Sequence, residues 1–149
     1  MNQYVTRDSS ETSRFMSLFF LEFDPSAKML RWVRAGHEPA MVYDPADHGF
    51  QELSGEGMAL GVMEDYAYKA YTLNDWCPGR VIMIGTDGVQ EARNEQGKMF
   101  GLDRLRRIIS KNATMTAETM QDTIVDRLRD FRGSAPQEDD ITLVIVKLV

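Results

Sequence analysis

Cysteine and histidine are nearly missing from this chain: one Cys (Cys77) and two His (His37 and His48) among 149 residues. A lone cysteine excludes an intrachain disulfide, and so few cysteines and histidines exclude a zinc site of the usual type. Sparse cysteine also suits a reducing compartment, so the expected location is the cytoplasm. No apolar run approaches the roughly 20 residues needed to cross a bilayer. The polar stretch Met1 to Arg14 carries no signal-peptide pattern. A basic excess is lacking too: the net charge is -6, which argues against a nucleic-acid backbone as partner. Gly-x-Ser-x-Gly and a Cys–His pair are absent, which leaves nucleophilic acyl chemistry without support. Gly55, Gly57 and Gly61 resemble a phosphate-cradling loop only loosely, because no Lys-Ser or Lys-Thr follows them.

What is present is a one-domain length with 43% hydrophobic and 27% charged residues, ordinary for a soluble fold able to bury a real core. Phe15 to Phe23, a turn at Asp24-Pro25-Ser26-Ala27-Lys28, and the alternating Met29 to Arg34 read as a β-hairpin. Ala40 to Tyr43 and Gln51 to Leu53 read as short strands, and Tyr66 to Leu73 alternates well. Ser54 to Gly61, with its three glycines, reads as a loop passing close to other backbone.

The period then changes. Leu102, Leu105, Ile108 and Ile109 sit at helical spacing. Behind an N-cap at Thr116, so do Met120, Ile124, Leu128 and Phe131, and Gly133 and Pro136 end that helix. Ile141 to Val149 is a final apolar strand, expected to be central in its sheet. The predicted fold is α+β, with antiparallel, sandwich-like sheets and an inserted antiparallel helical hairpin. Met1 to Arg14 reads as a connector or a truncated end, and residues 15–149 as the domain.

The chemistry concentrates at two strand ends. Val81-Ile82-Met83-Ile84-Gly85-Thr86-Asp87-Gly88 is a buried-type strand that delivers one carboxylate to a sheet edge. Glu138-Asp139-Asp140 feeds directly into the last strand. Each acid alone reads as a turn or a solvated residue. Together, on rigid strands bracketing a helical hairpin, they suit a hard cation such as Mg²⁺ or Mn²⁺. His37 reads as a structural loop residue and His48 as a surface-turn residue. Glu91 and Arg93 read as ion-pair formers, and Arg104-Leu105-Arg106-Arg107 as the solvated face of a helix.

Five segments in order resemble the metal-dependent Ser/Thr protein phosphatases (PPM family), in their SpoIIE/RsbU branch. They are Ala35-Gly36-His37 with Pro39, Gly57 to Val62, Thr86 to Ala92, Phe100 to Leu105, and Asp139 to Val144. The resemblance implies a protein-serine/threonine phosphatase centre holding two Mg²⁺ or Mn²⁺ ions in the complete domain. It implies Asp87 and Asp139 as ligands, Asp140 beside them, and Thr86 and Gly88 in support. No catalytic side chain is assigned beyond the metal ligands. The implied partner is a phosphorylated, STAS-type anti-sigma-factor antagonist.

The family's upstream aspartate–glycine motif has no counterpart before Phe15, since Asp8 is followed by Ser9. The expectation is therefore the C-terminal two-thirds of such a domain, inactive alone and holding at most one ion weakly. The alternative is a non-catalytic binding module that dimerises through an exposed sheet edge.

Overall fold

Strands in this chain arise both in alternating segments such as residues 29–35 and in short apolar runs such as 81–85, and the two longest helices where apolar residues recur every three or four positions. A computed structural model describes residues 2–9, 14–74 and 76–149 (side chains of 7–9 excepted), and these form seven strands and four helices. In chain order they are α1 (Asn2–Ser9), β1 (Leu18–Asp24), β2 (Met29–Ala35), β3 (Ala40–Asp44), β4 (Gly49–Leu53), β5 (Ala70–Asn74) and β6 (Val81–Gly85). These are followed by α2 (Gly88–Glu91), α3 (Leu102–Lys111), α4 (Ala117–Arg132) and β7 (Leu143–Lys147). The chain divides into two units, one of residues 1–39 and 53–76, the other of 40–52 and 77–149.

The first unit is built on an antiparallel sheet of order β1-β2-β5. The expected hairpin is present, with Leu18 opposite Ala35 and Asp24 opposite Met29. Asp24 Oδ1 accepts from the Ala27 N–H at 2.9 Å and shapes the turn. Trp32 donates its indole N–H to the Ser54 carbonyl at 2.8 Å and stacks on Tyr71. The loop after β4 does pass close to backbone: the Gly36 N–H donates to the Gly57 carbonyl at 2.8 Å, and a Cβ on Gly57 would overlap the Arg34 carbonyl oxygen. Of the alternating Tyr66–Leu73 segment only residues 70–73 pair as a strand, and β5 runs one residue further, to Asn74.

Asn2–Ser9 is helical, where the polar composition suggested a connector without a periodic element. The Asn2 side chain explains its placement: it donates to the Met63 and Glu64 carbonyls at 2.7 and 3.0 Å and accepts from the Gly61 N–H at 3.1 Å. Residues 1 and 10–13 of the expected connector, and the side chain of Asp8, lie outside the described residues.

The second unit carries a sheet of order β4-β3-β6-β7, with α2, α3 and α4 all inserted between the antiparallel neighbours β6 and β7. The expected helical insertion is present. Leu105, Ile109, Met120, Ile124 and Leu128 are buried with Met41, Tyr43, Val81, Met83 and Phe100 in one core. Each such aliphatic side chain contributes roughly 1.5–3 kcal/mol of burial.

The last strand is not central. Among the described residues β7 has only β6 beside it. Its apolar run arises because Leu143 and Ile145 pack on the core beneath the helices, while Val144 stays 46% exposed. An apolar strand covered on one face by a helix reads in sequence like one buried on both.

Thr116 caps α4 as expected, its hydroxyl accepting from the Thr119 N–H at 3.1 Å. Thr116→Ala should cost about 1 kcal/mol, read as a lower urea midpoint with an unchanged slope.

Candidate metal centre

The two acidic segments meet through backbone, and the residue that joins them is Thr86. Its N–H donates to the Thr142 carbonyl at 3.1 Å, extending the β6–β7 ladder by one residue. Its hydroxyl donates to the Asp140 carbonyl at 2.8 Å and accepts from the Thr142 N–H at 3.0 Å. One side chain thus satisfies two backbone groups across the strand ends and fixes the Asp139–Asp140 turn against the end of β6.

Gly88 completes the fit. It is buried, and a Cβ there would stand 2.5 Å from the Asp140 carbonyl oxygen. Any side chain would push the two turns apart.

Asp87 sits between Thr86 and Gly88 and opens α2. Its Oδ1 accepts from its own neighbour Gly88 N–H at 3.0 Å, and its carbonyl accepts from the N–H groups of Gln90 and Glu91. Asp139 is held similarly, with Oδ1 accepting from the Asp140 N–H at 2.7 Å. Asp87, Asp139 and Asp140 are all exposed. In Asp87 and Asp139 these bonds engage only one of the two carboxylate oxygens.

Oxygen-only, exposed donors on a rigid frame match the ligand chemistry of Mg²⁺ or Mn²⁺. Their number is short of a cage: among the described residues, no three His, Cys, Asp or Glu side chains come together as a metal-holding group. The donor set fits a hard cation in kind, as an open and partial site.

A cleft of about 100 Å³ adjoins Asp139, walled by Gly88, Glu91, Arg93, Arg132 and Glu138. Arg93 pairs with Glu138 at 3.4 Å and donates to the Gly97 carbonyl at 2.9 Å, consistent with an ion-pair role. Arg132, which the sequence reading did not single out, donates to Gln137 Oε1 and to the Ala135 carbonyl, both at 3.2 Å. Its one visible signal was position: a cation in the last turn of α4, just before Gly133. Helix α2 was missed as well, although Asp87 followed three residues later by Gln90 is a recognisable helix-start spacing.

Outside the cleft, Glu95 ties the 93–97 turn to the end of α4: its Oε1 accepts from the Ser134 hydroxyl at 2.6 Å and the Ser134 N–H at 3.0 Å. Those bonds, the hydroxyl's foremost, hold the Glu95 carboxyl below its usual range. A depressed folded value means the tie is fully present above the unfolded carboxyl's roughly pH 4.3 and is lost as pH falls through the folded value. The protection of the Ser134 amide against hydrogen exchange, taken relative to an unstructured amide at the same pH, should therefore fall on acidification, and Glu95→Gln should remove that acid dependence.

The remaining singled-out residues have local roles. His37 Nδ1 lies 3.0 Å from the Glu38 carbonyl oxygen, and its ring meets Phe19 edge-on. His48 is exposed in its turn, with Nδ1 2.9 Å from the Tyr43 hydroxyl. Cys77 is exposed. Among the described residues no helix is long and apolar enough to cross a membrane.

Comparison with known proteins gives a consistent result. The SpoIIE family model, described as stage II sporulation protein E, matches residues 1–149. The chain is 30% identical over 146 residues to phosphoserine phosphatase RsbU of Bacillus subtilis, covering 96% of this chain and 42% of that protein. It is 30% identical, again over 146 residues, to protein IcfG of Synechocystis sp., covering 97% of this chain and 22% of that one. The chain therefore spans less than half the length of either relative.

Among solved structures, the SiaA-PP2C domain of Pseudomonas aeruginosa superposes with a TM-score of 0.84 at 24% identity, over 99% of this chain and 58% of that one. The phosphatase domain of SpoIIE from Bacillus subtilis, presoaked with Mn, superposes with a TM-score of 0.67 at 15% identity, over 95% and 59%. These two likenesses establish the fold, a mixed α/β arrangement with antiparallel sheets.

Proposed function

The chain belongs to the SpoIIE family of PP2C-type phosphatases, and from that premise we propose that it supplies one part of a metal-dependent phosphoserine/phosphothreonine phosphatase centre. The observation that carries this reading is the Thr86 clamp, which holds the Asp87 and Asp139–Asp140 turns together. Asp87 and Asp139 are the proposed ligands, with Asp140 as a third carboxylate at the same turn. A bound Mg²⁺ or Mn²⁺ supplies Lewis acidity, lowering the pKa of a coordinated water and balancing charge on the phosphoryl oxygens. The chain's own residues do the positioning. Thr86 fixes the frame, Gly88 lets the two turns close, and Arg93 holds Glu138 at the cleft mouth.

The proposed substrate is a phosphorylated STAS-type anti-sigma-factor antagonist in bacterial signalling. Support comes from the relative named as a phosphoserine phosphatase, RsbU, together with the motif order. With these acids alone, two dications would repel with little to offset them. We therefore propose a single weak ion in this chain, with affinity on the order of millimolar. Titration calorimetry with Mn²⁺ tests this. Asp87→Asn and Asp139→Asn should each weaken binding about tenfold or abolish it, whereas tight binding of two ions would contradict the reading.

A second reading has its own observations. Strands β1 and β7 are sheet edges among the described residues, and Phe15 and Phe20 are 70% and 53% exposed. Open edges and uncovered aromatics favour association. On that reading the chain is a catalytically inactive module that forms a homodimer by edge pairing. Light scattering over a range of concentrations would show a dimer if it holds and only monomer if it fails.

A further inference from the structure

The cations of α3 are organised beyond what a solvated helix face requires. α3 carries Arg104, Arg106, Arg107 and Lys111 against one acid, Asp103, in a chain whose net charge is -6. Two shallow grooves flank this helix, and Arg107 lines both. One is completed by Arg104, Arg127 and the rings of Phe100 and Phe131, the other by Arg106, Lys111 and the ring of Phe50.

The guanidinium groups are pre-positioned. Arg104 lies 4.6 Å from the Phe131 ring centroid, and its Nη1 donates to the Met99 and Phe100 carbonyls at 3.0 and 2.6 Å. Arg106 lies 5.9 Å from the Phe50 ring centroid and 3.8 Å from Glu52, and its Nε is buried without a hydrogen-bond partner. Arginines stacked on rings lose little side-chain freedom on binding, and planar guanidinium groups match carboxylates in pairs. Asp130 is the only acid among the residues lining the two grooves.

We propose that the α3 strip, with Arg127, is a docking surface for an acidic segment of a partner protein. It shares no residue with the Asp87–Asp139 centre and does not depend on the reading of that centre.

Charge complementarity selects this occupant. A short acidic segment confined to the strip feels the local cations. A long polyanion such as DNA, or an anionic membrane, extends beyond a Debye length of about 8 Å and meets the field of a chain with net negative charge. The apolar floor of the first groove, formed by Phe100, Ile108 and Phe131, further favours a segment carrying aliphatic side chains among its acids.

The experiment is fluorescence anisotropy of this chain with a labelled Glu/Leu peptide, its Gln/Leu counterpart, single-stranded DNA, and phosphatidylserine vesicles. The double variant Arg107→Glu with Arg127→Glu alters two exposed positions, and its thermal melt verifies folding. The expected result is roughly tenfold tighter binding of the Glu/Leu peptide than of the Gln/Leu peptide, weakening with salt, and a loss of at least about tenfold in the folded variant. Equal binding of the two peptides, or a folded variant that binds as wild type does, would overturn the proposal. So would DNA or vesicles binding more tightly than the peptide with the same dependence on Arg107 and Arg127.

Discussion

Gly57→Ala will destabilise the first unit by about 3 kcal/mol or more, the upper range of overpacking costs. The reason is local and steric. The 54–61 loop crosses the end of β2 so closely that the Gly57 carbonyl accepts from the Gly36 N–H at 2.8 Å. A methyl group on Gly57 would overlap the Arg34 carbonyl oxygen. Backbone cannot swing aside as a side-chain tip can, so either the hydrogen bond breaks or β2 bends. Urea denaturation followed by tryptophan fluorescence reads this directly, because Trp32 is buried in β2 and bonded to Ser54. A midpoint within experimental error of wild type would show that the loop is not held there.

The second large effect is expected at Gly88. Gly88→Ala places a methyl carbon 2.5 Å from the Asp140 carbonyl oxygen and 3.2 Å from its carbon. Relief requires the Asp139–Asp140 turn to move off the end of β6, which breaks the Thr86 hydroxyl bonds to Asp140 and Thr142. The expected cost is about 2–3 kcal/mol of stability. Mn²⁺ binding should fall as far as in Asp87→Asn, although no carboxylate has been removed. Loss of stability with Mn²⁺ affinity intact would mean that the two turns do not act as one site.

Much of this was legible in the sequence because the signals were local. The Asp24–Lys28 turn, the Thr116 cap and the three-to-four spacing of Met120, Ile124 and Leu128 each report their own element without help from the rest of the chain. Glycines 55, 57 and 61 marked the close backbone approach, though not the partner, because Arg34 is remote in sequence. The position of β7 was not legible: Leu143, Val144 and Ile145 read alike in sequence, and only α4 and β6 decide which of them is covered. Helix α1 was hidden because its placement depends on Asn2 reaching the Met63 and Glu64 carbonyls, contacts that carry no periodicity. At the candidate centre the acids were visible as types. Thr86 was visible only as a neighbour, since its role as the clamp depends on backbone groups more than fifty residues away.

The most direct test of the proposed centre is Mn²⁺-dependent phosphate release from a phosphoserine peptide. It would be measured with this chain and with the chain extended upstream by a segment carrying the family's aspartate–glycine motif, each with and without Asp87→Asn. The account predicts turnover in the extended form, none in this chain alone, and loss of turnover with Asp87→Asn. Turnover that persists undiminished in the Asp87→Asn protein would contradict it.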